Sequence, residues 1–408
     1  MKIQRSYPAF TVSRKCENSL KGGHPWVYDN EIVSAPQEVE NGAIADVLSM
    51  KGSYLGSGLV SLNSKIRVRI LSDNANESFG ESFFRRRLRY AIDHRKTVMG
   101  GDFSACRLVH GESDGLPGLT VDRYGDILSV QVMSFGMEKM KDMIFRLLTE
   151  ELEKDGVRVK GIMQRNDVAL REREGLEQYK KWYTSDLLPE PPGELAEICE
   201  NGIFYTVDVL NGQKTGFFLD QKYNRLAAAK IARGKRVLDC FTHTGSFALN
   251  AAHGGAEHVT AVDVSQLAVD TARANAVRNG LDDRMDFICA DVFDLLPKLA
   301  SSHEKYDFII LDPPAFTKSR RTVGSAERGY KEINYRAMKV LPRGGYLATC
   351  SCSHFMTSEL FVKMLLSAAK DAGVQLKMIE SRQQAPDHPI LLNVPETDYL
   401  KFFLFQVV

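Results

Sequence analysis

From about residue 201 onward, short apolar runs alternate with stretches of helical periodicity. Residues 237–240 read as a buried strand and 245–252 as a helix, and 258–263 form the next strand. Ser265 is a suitable N-cap for a helix through Arg278, which Asn279-Gly280 stops. Further strands are predicted at 286–289, 308–311 and 346–352. Alternating β and α with fully apolar strands predicts a doubly wound parallel sheet covered on both faces, which binds its ligand at the carboxyl ends of the strands. The front of the chain has another texture. Brief alternating runs at 43–48 and 66–71 lie between the turns Asn41-Gly42 and Lys51-Gly52, the pattern of a small all-β module. Between the two lie strand signals at 127–133 and 161–164 around a helix near 139–152, a small α+β pattern. Three prolines within 188–193 mark a linker. The expected division is 1–75, 76–190 and 191–408.

Composition adds little to this picture, and charge adds more. With 408 residues, 44% hydrophobic and 26% charged, the chain is that of an ordinary folded protein. Its 53 Lys+Arg nearly balance 52 Asp+Glu, yet residues 1–100 hold 15 basic against 10 acidic side chains. A predicted helix at 81–98 carries Arg85, Arg86, Arg87, Arg89, Arg95 and Lys96, which suits a solvated linker helix and an RNA-phosphate contact equally well. No apolar run reaches the roughly 18 residues of a membrane span, and the first eight residues lack the apolar core of a secretory leader. Seven cysteines with no C-x-x-C pair speak against a disulfide framework and against a metal centre, and the expected setting is a reducing cytoplasm without membrane contact.

The first predicted strand of the carboxyl part runs into Asp239-Cys240-Phe241-Thr242-His243-Thr244-Gly245-Ser246. A dinucleotide site would need G-x-G-x-x-G to admit a pyrophosphate, and one glycine of that set is present. A carboxylate at this place repels phosphate and suits a cationic ligand; S-adenosylmethionine, with an ammonium and a sulfonium, fits. The second strand ends at Asp263-Val264, where an acid can accept from ribose hydroxyls, and the third at Asp291-Val292, where adenine would lie.

The fourth strand ends in Asp312-Pro313-Pro314, a rigid extended exit that holds a carboxylate in one orientation where the methyl group would be delivered. The fifth ends in Cys350-Ser351-Cys352-Ser353. Two cysteines one residue apart on a strand face the same side, and the second lies nearer the sheet's edge. Cys352 is therefore the candidate nucleophile and Cys350 a core residue.

Over nearly its whole length the chain resembles the bacterial large-subunit ribosomal RNA cytosine-5 methyltransferases of the RlmI type. The likeness rests on Gly23-His24-Pro25-Trp26-Val27-Tyr28, on Asn211-Gly212-Gln213-Lys214-Thr215-Gly216-Phe217-Phe218-Leu219-Asp220-Gln221, on Asp312-Pro313-Pro314, on Arg328-Gly329-Tyr330-Lys331, on Ser351-Cys352-Ser353 and on Asp387-His388-Pro389. The resemblance implies an N-terminal RNA-binding PUA-like β-barrel, a small central α+β domain and a C-terminal Rossmann-like class I methyltransferase domain. It implies a cofactor site of Gln213, Thr215, Phe217, Asp220, Asp239, Phe241, Thr242, Gly245, Ser246, Asp263, Val264, Asp291, Val292 and Asp312. Catalysis is implied for Cys352, adding to C6 of a cytosine, and for Asp312 at N3. The implied partner is 23S ribosomal RNA or a large-subunit assembly intermediate, and the family pattern suggests a homodimer. A second cysteine directly after the two prolines, which some RNA cytosine-5 methyltransferases have, is replaced here by Ala315. Two other readings stay open on the residues: methylation of a ring nitrogen (guanine N7 or adenine N6), and a non-enzymatic RNA-binding assembly factor.

Overall fold

The computed structural model describes residues 5–302, 304–317 and 319–408; residues 1–4, part of the opening stretch read above, lie outside it. The chain divides into two compact units. Among the described residues no helix is long and apolar enough to cross a membrane.

The first unit comprises residues 1–198, 206–219 and 386–397. Its front is a six-stranded sheet in the order Trp26–Tyr28, Ile66–Ser72, Tyr54–Val60, Ile44–Ser49, Ala9–Val12, Ile32–Ser34. Alternate residues Phe10 and Val12, Ala45 and Val47, and Val60 and Val68 point into one core, which Cys16 of the helix Arg14–Lys21 closes. A second sheet follows, ordered Tyr179–Tyr183, Gly161–Asn166, Ile127–Val132, Leu119–Tyr124, Ala105–His110, with the helices Glu81–Met99 and Phe135–Glu153.

Several arginines of the helix Glu81–Met99 are ion-paired. Arg85 pairs with Glu150 at 2.6 Å and Glu151 at 2.9 Å, and Arg89 with Asp155 at 2.6 Å. Arg95 is fully buried against Asp114 at 2.6 Å. Arg87 instead donates to Leu71 O at 3.0 Å. The helix is packed through Phe83, Phe84, Leu88 and Ile92 and is no solvated linker.

The second unit comprises 199–205, 220–385 and 398–408. Its strands are β1 (Arg236–Cys240), β2 (His258–Asp263), β3 (Met285–Cys289), β4 (Phe308–Leu311), β5 (Tyr346–Ser351), β6 (Leu376–Arg382) and β7 (Lys401–Val407). Its helices are α1 (Lys222–Ala232), α2 (Ser246–His253), α3 (Gln266–Arg278), α4 (Val292–Ser302), α5 (Val323–Val340) and α6 (Ser358–Ala372). The sheet order is β3-β2-β1-β4-β5-β7-β6. Strand order reverses between β1 and β4, where such sheets hold their ligands. All of β4 is fully buried, as its unbroken apolar sequence requires. α3 begins where predicted, with Ser265 Oγ accepting from Ala268 N at 3.3 Å.

Two features differ from the sequence reading. The sheet is mixed, because β7 runs antiparallel to both β5 and β6. And β5 stops at Ser351, so Cys352 stands in the loop beyond the strand rather than in it.

A buried ion pair supports the amino-terminal side of this unit. Arg225 of α1 donates to Glu200 through Nε at 2.6 Å and Nη2 at 2.8 Å, both side chains almost wholly enclosed. Removing one partner strands the other charge, so Glu200→Ala is expected to cost about 3–5 kcal/mol of stability, read by chemical denaturation.

Candidate active site

The turn between β1 and α2 is built from unusual backbone. Phe241 (φ 67°) and His243 (φ 50°) occupy the left-handed region despite their side chains, and Gly245 has φ 82°. Only glycine serves at 245, since a Cβ there would lie 2.9 Å from the Cβ of Ala272 on α3. This turn presents Asp239, which is 1% exposed. Its Oδ2 accepts from Thr242 Oγ1 at 2.6 Å and from Ala248 N at 2.9 Å. Its Oδ1 is buried without a partner among the described residues. Burial, with the charge of Asp312 adding to it and the Thr242 bond opposing, pushes the Asp239 carboxyl up to about 7. An orphaned buried carboxylate oxygen calls for a donor, preferably a cationic one. The ammonium of S-adenosylmethionine is such a donor.

At the end of β2, Asp263 accepts from His243 N and from Ser265 N, each at 2.9 Å. Each carboxylate oxygen keeps a second lone pair, which ribose hydroxyls can use. Beyond β3, Asp291 accepts from Phe293 N at 2.8 Å. The side chain of Val292 is buried in the core, so its backbone is what remains for a ligand. Beside these acids stand exposed apolar side chains: Val264 is 72% exposed and Phe293 40%. Phe293 and Phe316 lie 6.0 Å apart between ring centroids. Carboxylates flanked by uncovered apolar surface at successive strand ends suit an adenosine, so the residues present fit the cofactor.

Asp312 follows β4. Gln221 Nε2 donates to its Oδ1 at 3.0 Å, and the thiol of Cys350 also hydrogen-bonds the carboxyl. Burial first, and then the charge of Asp220, push the Asp312 carboxyl up to about 6, against the opposing charge of Arg225. Asp220 Oδ2 in turn accepts from the hydroxyl of Tyr399 at 2.7 Å.

The two cysteines after β5 are in different states. Cys350 is fully buried, and burial beside Asp312 drives its thiol well above the ordinary range, so it is a proton donor rather than a nucleophile. Ser351 and Ser353 are buried, while Cys352 between them is half-buried. The tripeptide is held from two sides. Ser351 Oγ donates to the hydroxyl of Tyr330 on α5 at 3.0 Å, and that hydroxyl lies 3.2 Å from Ser353 Oγ. From β7, Lys401 Nζ donates to Ser353 O at 2.7 Å.

The second unit thus gathers Asp220, Asp239, Phe241, Thr242, Gly245, Ser246, Asp263, Val264, Asp291, Val292, Asp312 and Cys352. Gln213, Thr215 and Phe217 belong to the first unit. There Gln213 is exposed, and Thr215 Oγ1 donates to the buried Asp122 at 2.5 Å. Phe217 N donates to the hydroxyl of Tyr124 at 3.1 Å. The sequence reading placed Gln221 and Tyr330 in its matching segments without giving either a role, and it missed Lys401. A lysine inside the apolar run of β7 was the available signal for the last of these.

Comparison with known proteins agrees with this geometry. A family model of S-adenosylmethionine-dependent methyltransferases matches residues 107–406, and a PUA-like domain model matches residues 10–73. The chain is 40% identical over 404 residues to the ribosomal RNA large subunit methyltransferase I of Klebsiella pneumoniae (strain 342), covering 98% of this chain and 99% of that one. It is 41% identical over 394 residues to the protein of that name from Aliivibrio fischeri (strain MJ11), covering 96% and 97%. A solved structure from Streptococcus mutans, described as a candidate SAM-dependent methyltransferase, superposes with a TM-score of 0.81 at 23% identity over 98% of this chain and 99% of that one, a likeness of fold. With family models matching both parts of the chain and relatives 40–41% identical over nearly its full length, the chain belongs to the ribosomal RNA large subunit methyltransferase I family of S-adenosylmethionine-dependent methyltransferases.

Proposed function

We propose that this enzyme methylates carbon 5 of a cytosine in 23S ribosomal RNA, with Cys352 as the covalent nucleophile and Asp312 as the acid at N3. The observation that carries the reading is the contrast at the end of β5: of Cys350-Ser351-Cys352-Ser353, only Cys352 keeps accessible surface. It stands two residues from the thiol that touches Asp312.

The Cys352 thiolate adds to C6, and the ring electrons move through C5 and C4 to N3. Asp312 supplies the N3 proton; a carboxyl held up to about 6 keeps its protonated form within reach near neutrality. Carbon 5 is then an enamine carbon and nucleophilic. Bound S-adenosylmethionine supplies the electrophilic methyl group. After C5 is substituted, the N3 proton returns to Asp312, the C5 proton passes to solvent water, and the C5–C6 double bond reforms as the Cys352 thiolate leaves. A base must be unstacked to reach such an edge, so a single-stranded or opened segment is the expected substrate.

In this reading the first unit's amino-terminal sheet, within residues 1–75, holds RNA backbone, and the enzyme works in the cytoplasm on 23S RNA or the assembling large subunit. Asp239, Asp263 and the Val264–Phe293 rim hold the cofactor. Since Asp239 must ionise to meet a cation, affinity for S-adenosylmethionine rises with pH up to about 7 and levels off above it. With a midpoint of about 7, roughly a fivefold gain between pH 6 and 7 is expected, read by calorimetric titration; affinity independent of pH from 5.5 to 7.5 contradicts this role.

Bisulfite sequencing of 23S RNA from cells with and without the protein tests the function. One cytosine is expected to lose its protection in the deletion and regain it on incubation with enzyme and cofactor. A 23S RNA whose protected cytosines are unchanged contradicts the proposal.

A further inference from the structure

We infer that Lys401 is a positioning residue for the reaction: its ammonium is the counter-charge that keeps the Cys352 thiol ionised. The inference rests on the reading of Cys352 as nucleophile and assigns its activation.

Lys401 opens β7 and pairs in register with Ser351 of the antiparallel β5. It is 4% exposed, so its charge has little access to water. Two of its three N–H donors go to carbonyls, Ser353 O at 2.7 Å and Tyr399 O at 2.8 Å. Among the described residues no carboxylate forms an ion pair with it. A buried ammonium held only by neutral acceptors is costly unless an anion stands near. Burial accordingly pushes Lys401 down to about 8, against the attraction of Asp398 and of the Cys352 thiolate, which hold it up. That attraction is mutual, so the ammonium favours the thiolate in turn.

Other groups of the site bear on the thiol differently. Tyr330 from α5 is neutral, its own ionisation hindered by burial and by Cys352. Cys350 and Asp312, from β5 and β4, are neutral or negative, and Asp398 before β7 is negative; each disfavours a thiolate. Arg225 of α1 acts on Asp312. His354 follows in the same loop, exposed in part. Lys401 is a cation held by its bond to Ser353 O beside the residue it serves.

The test is the pH dependence of Cys352 alkylation by iodoacetamide in the full-length protein without RNA or cofactor, resolved by peptide mass spectrometry. The exposed Cys199 and Cys289 serve as internal controls. The wild-type Cys352 midpoint is expected below theirs. Lys401→Gln, which can still donate to both carbonyls, should raise the midpoint by about one pH unit and slow alkylation near neutrality roughly tenfold. Lys401→Arg should largely restore it, and the control cysteines should not move. An unchanged Cys352 midpoint in Lys401→Gln, or a wild-type midpoint no lower than the controls, overturns the inference. Should Lys401→Gln fail to fold, the wild-type comparison and Lys401→Arg still decide it. The two readings fail separately. A Lys401-independent midpoint in a protein that forms a covalent RNA adduct removes this inference alone, whereas a Lys401-dependent midpoint without an adduct removes the nucleophile and leaves the ion pair.

Discussion

Cys352→Ala is expected to bind S-adenosylmethionine as the wild type does and to transfer methyl groups more slowly by on the order of 10³-fold or more. Both halves follow from position. The acids proposed for the cofactor lie at the ends of β1 and β2 and just after β3, whereas Cys352 stands in the loop after β5. The substitution removes one sulfur from a half-buried site and leaves the bonds of Ser351 and Ser353 to Tyr330 in place. Without the adduct, C5 of cytosine is not nucleophilic and no neighbouring group replaces the sulfur. Cys350 cannot, because its thiol is fully buried and held protonated against Asp312. Filter-bound tritiated methyl transfer, beside calorimetric cofactor binding, measures both quantities. Transfer near the wild-type rate contradicts the covalent role.

Asp312→Asn is expected to slow transfer by about 10²–10⁴-fold, the range of a lost general acid. The amide can keep the hydrogen bond from Gln221 through its oxygen, so the local structure should survive. It cannot pass a proton to N3. In the wild type, transfer should decline on the alkaline side as the carboxyl loses its proton, with a midpoint displaced above the free-enzyme value of about 6 by the enclosing substrate. That alkaline limb should vanish in Asp312→Asn while the limb set by the thiol remains. Equal pH profiles for the two proteins contradict the assignment.

How much of this was legible in the chain depended on the range of the forces involved. The cores of β1, β2 and β4 are short apolar runs covered on both faces, and such runs announce themselves locally; β3 lies at the sheet's edge and is largely exposed. The acids at their ends were legible for the same reason. β7 was not foreseen, because an apolar run shows neither its direction nor its insertion between two earlier strands. Its placement is what brings Lys401 back over the end of β5 at Ser351, 50 residues away in the chain. The loop position of Cys352 follows from the end of the hydrogen-bond ladder with β7 at Ser351, a tertiary event. The arginines of the helix Glu81–Met99 suited two readings equally well, because their partners lie far off in the chain. A row of like charges reads as a surface for water or phosphate alike until the carboxylates of Glu150, Glu151 and Asp155 are seen against it.

The central claim is a bond between one sulfur and one ring carbon, and RNA bearing 5-fluorocytosine tests it most directly. Fluorine at C5 blocks the final loss of a proton, so a covalent protein–RNA complex should accumulate, only with S-adenosylmethionine present, with the RNA attached at Cys352 by peptide mapping. No complex from an enzyme that methylates unsubstituted RNA, or a complex that persists in Cys352→Ala, contradicts the account.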